Sequence, residues 1–215
     1  MSWLQRMLTR RAPADARRWV VLDVEASGLD AARDRLLEIA ALGVHIDGGR
    51  AQIELADSFE VVLRQPDDDA PPDKANILLH GIGVGAQRDG VGAADALDAF
   101  VRFVAHSPLI GFHVAFDRTL IEGALAACRR ARPNNRWLDL EPLAAVLVPQ
   151  AKARALDDWL TQFGIRCLQR HHAMADTLAT AELLLHLWPR LRQERAVDIE
   201  AARRLAADRR WLTRW

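Results

Sequence analysis

The segment Val20-Val21-Leu22-Asp23-Val24-Glu25 sets the terms for the rest of the chain. It is β-branched and apolar enough to be a buried strand, yet it carries two carboxylates two residues apart. Side chains alternate across a strand, so Asp23 and Glu25 share a face, with Val21 and Trp19 below them. Two acids brought side by side at the end of a buried strand repel each other and lose hydration. A shared divalent cation relieves both costs, and hard carboxylate oxygens suit Mg²⁺ or Mn²⁺.

A second acidic motif is Gly111-Phe112-His113-Val114-Ala115-Phe116-Asp117, where a short apolar strand (Pro108 to Gly111) runs into a helix with Asp117 in its first turn. Taken singly, Asp117 is equally well explained by the preference of a helix N-terminus for an acid. The third lies in His171-His172-Ala173-Met174-Ala175-Asp176. Asp176, Thr180, Leu183 and Leu187 recur at spacings of four, three and four, which puts this acid on the core-facing stripe of a helix. A buried charge there requires a partner. His171 sits in the loop entering that helix, where it can overhang a site built by Asp176, whereas a hydrogen-bonded structural histidine is the plainer reading of His171 alone. His172 is read as exposed and structural.

Around these motifs the chain reads as one α/β domain with appendages. Arg35 to Val44 is a second strand, Asp47-Gly48-Gly49 a hairpin turn and Ala51 to Leu63 a third strand, which together make an antiparallel meander. Gln65 to Asp73 has the Pro and Asp content of a loop. Helices are expected at Lys74–His80, from Ala93 through Val104, around Leu120 to Cys128, and at Glu141–Leu147, Leu156–Phe163 and Ala173–Trp188, the last broken by Pro189. Trp137-Leu138-Asp139 is a further short strand, with Asp139 a helix cap or a group supporting the site, and Asp157 and Asp158 are expected to cap their helix. An arginine-rich helical segment closes the chain.

Formal net charge is zero, but its distribution is uneven. Residues 1–18 carry five arginines against one acid and residues 190–215 eight against four, which leaves a middle at −8. Acids clustered around cations would produce such a middle, and basic ends can meet phosphates or serve as solvated helix faces. No apolar run approaches the roughly 20 residues of a membrane span, so no membrane association is expected. Cys128 and Cys167 lack metal-ligand spacing and read as buried free thiols in a reducing, cytoplasmic setting. Residues 1–18 read as a basic, helical N-terminal extension. Trp19, Trp137, Trp159 and Trp188 are expected in the packing, and Trp211 and Trp215 at a partner or oligomer surface.

The ordered set DxE, Gly-x-x-x-x-Phe-Asp and His-x-Ala-x-x-Asp resembles the DEDDh family of 3′-to-5′ exonucleases, which includes the epsilon proofreading subunit of bacterial replicative polymerase, ribonuclease T and oligoribonuclease. Asp34-Arg35-Leu36-Leu37-Glu38-Ile39 and Leu79-His80-Gly81-Ile82 add to the likeness, and the absence of tyrosine excludes the sister group that uses tyrosine in place of the histidine. The resemblance implies a ribonuclease H-like fold with a mixed five-stranded sheet flanked by helices, an exonuclease domain over 19–188 and an arginine-rich C-terminal extension over 189–215. It implies two divalent ions: Asp23, Glu25 and Asp176 hold the one that carries the attacking water, Asp23 also touches the second, and Asp117 supports the second through water. His171 accepts the water's proton.

Ala26, Ser27, Gly28, Leu29, His113 and Phe116 are carried over as substrate contacts. Phe112-His113 replaces the usual His-Asn pair, Ala26-Ser27-Gly28-Leu29 lacks the usual threonines, and the histidine common near position 155 is absent. The expected substrate is a single-stranded 3′ end, DNA ahead of RNA, yielding nucleoside 5′-monophosphates, with a polymerase or a second copy of the chain as partner through the C-terminal extension. The alternatives are an oligoribonuclease-type enzyme that trims short RNA, and a non-catalytic module that binds nucleic acid or a polymerase.

Overall fold

A computed structural model describes residues 17–208 apart from 48 and 67–73. Most of the 1–18 extension, the centre of the Asp47–Gly49 turn, most of the Gln65–Asp73 loop, and Trp211 and Trp215 lie outside the described residues.

The strands are β1 (Arg18–Ala26), β2 (Leu36–Asp47), β3 (Arg50–Val62), β4 (Leu109–Gly111) and β5 (Trp137–Asp139). They form one sheet in the order β3-β2-β1-β4-β5. β1, β2 and β3 are the expected antiparallel meander, and β4 and β5 join parallel to β1. The helices are α1 (Lys74–His80), α2 (Val84–Asp89), α3 (Ala93–Val104), α4 (Ala115–Ala127), α5 (Leu140–Leu147), α6 (Leu156–Phe163), α7 (Ala173–Gln193) and α8 (Ile199–Ala207).

The alternation in β1 divides the molecule into two cores. Trp19 and Val21 face a core with Leu42, Val44, Leu143, Trp159, Leu183 and Leu187, contributed by β2, α5, α6 and α7. Val20, Leu22 and Val24 face the other, with Ile39, Phe59, Leu97, Phe100 and Ile121 from β2, β3, α3 and α4. Burial of each large aliphatic side chain contributes about 2 kcal/mol, so the sheet is fixed from both faces. Asp23 and Glu25 extend the first face beyond its apolar part. Trp19 meets Trp188 edge-on, ring centroids 5.4 Å apart.

Pro189 does not end α7, which continues to Gln193. Proline cannot donate to the carbonyl four residues earlier, but Leu187, Trp188 and Leu191 on either side are buried, and Trp188 Nε1 donates to Gly49 O at 3.0 Å. Packing therefore outweighs the lost bond. Ala196 and Ala202 carry the chain back into the first core, and α8 packs on α5. α2 was not foreseen: it is six residues long and buries only Gln87, so it has no apolar period to read. Both cysteines are half-buried rather than buried, because Cys128 lies at the exposed end of α4 and Cys167 on a loop beside Asp176.

Away from the acids, Arg18 is almost fully buried and forks onto Asp57 at 2.6 and 2.9 Å, and it also donates to Ser107 Oγ at 2.8 Å. Asp57 accepts a further bond from His45 at 2.7 Å. It lies over Gly43, at the point where the β2–β3 register shifts, and a Cβ on Gly43 would overlap its carboxylate. Gly43→Ala is therefore expected to separate Asp57 from a buried guanidinium and to lower stability by about 3 kcal/mol. Urea unfolding checks this; a variant within about 0.5 kcal/mol of the wild type, the range of a neutral surface change, would contradict it.

Candidate active site

β1, β4 and β5 run parallel, and their carboxyl ends converge on one side of the sheet, where open α/β sheets place their ligands. An open cleft of about 350 Å³ lies there. Its lining includes Asp23 and Glu25 from β1, Phe112 and His113 after β4, and Arg170, His171 and Asp176 at the start of α7. Carboxylate oxygens of Asp23, Glu25 and Asp176 lie within 4.8 Å of one another. Asp176 is held in place from several directions: Thr177 beside it bonds to Ala40 O of β2, and Oδ2 accepts from the backbone N–H of His171 at 2.9 Å. His171 adopts a left-handed backbone (φ 61°), the turn that brings its N–H back onto the acid.

Asp117 is buried in the first turn of α4, outside the cleft lining but beside Asp23, on which its charge acts. The backbone of Val24, at the end of β1, favours the charged form of Asp117 against that burial. Asp139 serves both roles read for it: it caps α5 through Glu141 N, and it accepts from His113 N at 3.0 Å. Its charge also acts on Asp117.

Of the expected substrate contacts, Ala26, Gly28, Leu29, His113 and Phe116 line the cleft. The Ser27 hydroxyl points into its own loop, bonded to Asp34 at 3.0 Å and to Arg35 N at 2.9 Å. Gly28 is required there, since a Cβ would lie 2.6 Å from Asp34 Oδ2, the oxygen that accepts from Asp30 N. Sequence reasoning missed Asn76, whose amide donates to Ala26 O at 2.8 Å from α1, and Cys167, whose Sγ lies 3.3 Å from Asp176 Oδ1. It also missed Arg170, which pairs with Asp176 and with Asp157. The basic residue just before His171 was a signal for it. Asp158 caps α6 by accepting from Arg154 and Ala155 N–H, as expected, whereas Asp157 is taken up by Arg170.

Crowding shows in the acids' protonation. Burial, followed by the charges of Asp117, Asp176 and Glu25, pushes Asp23 well above the usual carboxylate range. Burial and then the Asp176 and Glu38 charges raise Glu25 to about 8, and burial raises Asp117 to about 7. Glu38, opposite Glu25 in the β1–β2 ladder, is raised to about 7 by burial and by Glu60. Such a set is poorly satisfied by itself. Three convergent hard oxygens with no sulfur or nitrogen in the trio fit a divalent cation of the Mg²⁺ or Mn²⁺ kind.

The chain matches the RNase_T exonuclease family over residues 20–184 and belongs to that family. It is 30% identical over 170 residues to the PolC-type DNA polymerase III of Bacillus subtilis (strain 168), covering 79% of this chain and 11% of that one. The corresponding polymerase of Listeria monocytogenes serovar 1/2a is 30% identical over 169 residues, covering 77% and 11%. The chain thus spans about a tenth of the length of these relatives. Among solved structures, an exonuclease I structure superimposes with a TM-score of 0.67 at 20% identity, over 83% of this chain and 44% of that one. Escherichia coli exonuclease I in complex with a dT13 oligonucleotide gives 0.67 at 20% identity over 82% and 42%. These findings bear out the resemblance to 3′-to-5′ exonucleases of the DEDD group and the expected ribonuclease H-like fold. Among the described residues, no helix is long and apolar enough to cross a membrane.

The raised acids give the metal-free protein a defined pH response. Glu25 and Asp117 ionise near 4.5 and 3.8 when unperturbed but near 8 and 7 when folded, so between these limits the folded state binds more protons. The stability this contributes is complete below the unperturbed values and is lost as pH rises through 7 to 8. In the presence of a chelator, Tm is expected to fall from pH 5.5 to pH 8.5 more steeply in the wild type than in Glu25→Gln. Parallel profiles in differential scanning calorimetry would contradict this assignment.

Proposed function

We propose that the protein is a DEDDh-type exonuclease that uses two divalent ions to remove nucleotides from single-stranded 3′ ends, DNA ahead of RNA, and releases nucleoside 5′-monophosphates. The observation that carries this reading is the convergence of Asp23, Glu25 and Asp176 within 4.8 Å, beside buried Asp117 and cleft-lining His171. Asp23, Glu25 and Asp176 would hold one ion, Asp23 would reach the second, and Asp117 would support the second through water. When bound, Mg²⁺ or Mn²⁺ lowers the pKa of a water and neutralises charge on the attacking and leaving oxygens.

The chain supplies the remaining functions. His171, at the rim, takes the proton of the attacking water. Ala26, Gly28, Leu29, His113 and Phe116 bracket the terminal nucleotide, with Leu29 fully presented at 92% exposure as an apolar contact for a base. Ser27 shapes the loop beneath them through Asp34. DNA is placed ahead of RNA because the relatives at 30% identity are DNA polymerases and the structural neighbour binds dT13. A polymerase or a second copy of the chain is the proposed partner of the C-terminal segment, in a cytoplasmic setting.

The test is a time course on 5′-labelled single-stranded DNA and RNA of one sequence with Mn²⁺. The wild type is expected to yield a ladder that shortens from the 3′ end, faster on DNA. His171→Ala is expected to lose about 10²-fold or more, the scale of general-base catalysis, and Asp23→Ala to lose all detectable turnover with an unchanged circular dichroism spectrum. Preference for two- to five-nucleotide RNA would instead favour the oligoribonuclease reading. Failure to shorten any strand with Mn²⁺, or with Mg²⁺ in its place, would leave a binding module.

A further inference from the structure

Arg170 places a positive charge where the site reading puts a metal. Its guanidinium spans two acids: one terminal nitrogen pairs with Asp176 Oδ1, and Nε bonds to Asp157 Oδ1 at 2.6 Å. That terminal nitrogen is buried, and both the charge of Asp176 and a hydrogen bond to it favour the charged guanidinium. The Asp157 carboxylate is largely in solvent, with 63% of its side chain exposed, whereas Asp176 is at 6%. Asp176 is already well supplied: Oδ2 accepts from His171 N, and Oδ1 faces Cys167 Sγ as well as Arg170. A carboxylate offers about four lone-pair sites, and a cation bridging Asp176 to Asp23 and Glu25 needs one of those on the inner side. Among the described residues, Arg170 is the positive group whose charge acts on both Asp23 and Glu25.

We propose that Arg170 is a tethered counter-ion: it neutralises the Asp23–Glu25–Asp176 trio in the metal-free protein, and it withdraws onto Asp157 when a divalent cation enters. The proposal rests on the reading of the trio as a metal site. It assigns Asp157, on the surface start of α6, the function of holding the displaced guanidinium. Arg170 then sets metal affinity by competition, and Asp157 raises that affinity by drawing the guanidinium off Asp176. Without Arg170 the trio has no internal competitor among the described residues. Without the Asp157 charge the guanidinium has no second resting place and stays on Asp176.

Calorimetric titration of Mn²⁺ into the chelator-treated full chain, without substrate, tests this. Arg170→Gln is expected to bind Mn²⁺ about tenfold more tightly than wild type, the effect of removing one modest charge interaction, and to melt at a lower temperature without metal. With saturating Mn²⁺ that melting difference is expected to shrink. Asp157→Asn, a change at an exposed position, is expected to weaken Mn²⁺ binding several-fold, and it keeps the proposal testable should Arg170→Gln fail to fold. Equal or weaker binding by Arg170→Gln would overturn the proposal and make Arg170 a fixed support of Asp176, with the metal site intact. Unchanged affinity in Asp157→Asn would overturn the proposed resting place. Absence of Mn²⁺ binding in the wild type and both variants would defeat the metal reading and the proposal with it.

Discussion

Mutual repulsion among four carboxylates at the carboxyl ends of β1 and its parallel neighbours is the constraint on which the site depends. Asp23 and Glu25 cannot avoid each other, because strand alternation fixes both on one face. Asp176 is brought to them by a helix whose buried stripe leaves no other direction, and Asp117 by its buried place in the first turn of α4. Burial adds a desolvation cost to each. Protonation of Asp23, Glu25 and Asp117 is one solution at low pH. At neutral pH the balance requires positive charge, either from Arg170 within the chain or from divalent ions.

The rest of the fold holds those acids in position against their repulsion. Two cores clamp the sheet from opposite faces, so β1 cannot relax by shifting register without exposing an entire apolar face. The backbones near the site add constraints: His113 and His171 both adopt left-handed conformations, and the N–H of each is bonded to an acid, Asp139 and Asp176 respectively. Asp139 thereby links the cap of α5, the loop after β4 and the electrostatics of Asp117 in a single side chain. The arrangement suits a site whose chemistry belongs to bound ions and whose protein supplies fixed geometry.

The features that could be read from the chain were those encoded by local period. The strand alternation of β1, the meander, the helix Lys74–His80 and the core-facing position of Asp176 all follow from spacing, and all are present. The three acidic motifs announced the four acids of the site because each carries its own context of strand end or helix start. What escaped was non-local. Pro189 reads as a stop, yet burial of Leu187 and Leu191 on both sides carries α7 through it. The Arg18–Asp57 pair joins residues 39 apart, and nothing near either one marks it. Arg170 and Asp157 belong to different helix starts, and they meet only because α6 and α7 pack together. Ser27 was named for its place after the paired acids, but its hydroxyl is claimed by Asp34 within the same loop.

Anomalous diffraction from a crystal soaked in Mn²⁺ tests the central claim most directly, because it reports position rather than turnover. The account predicts a peak coordinated by Asp23, Glu25 and Asp176, about 2.1 Å from their oxygens as for small hard cations, with the Arg170 guanidinium off Asp176. Mn²⁺ found only elsewhere on the molecule, with Arg170 still seated on Asp176, would contradict it.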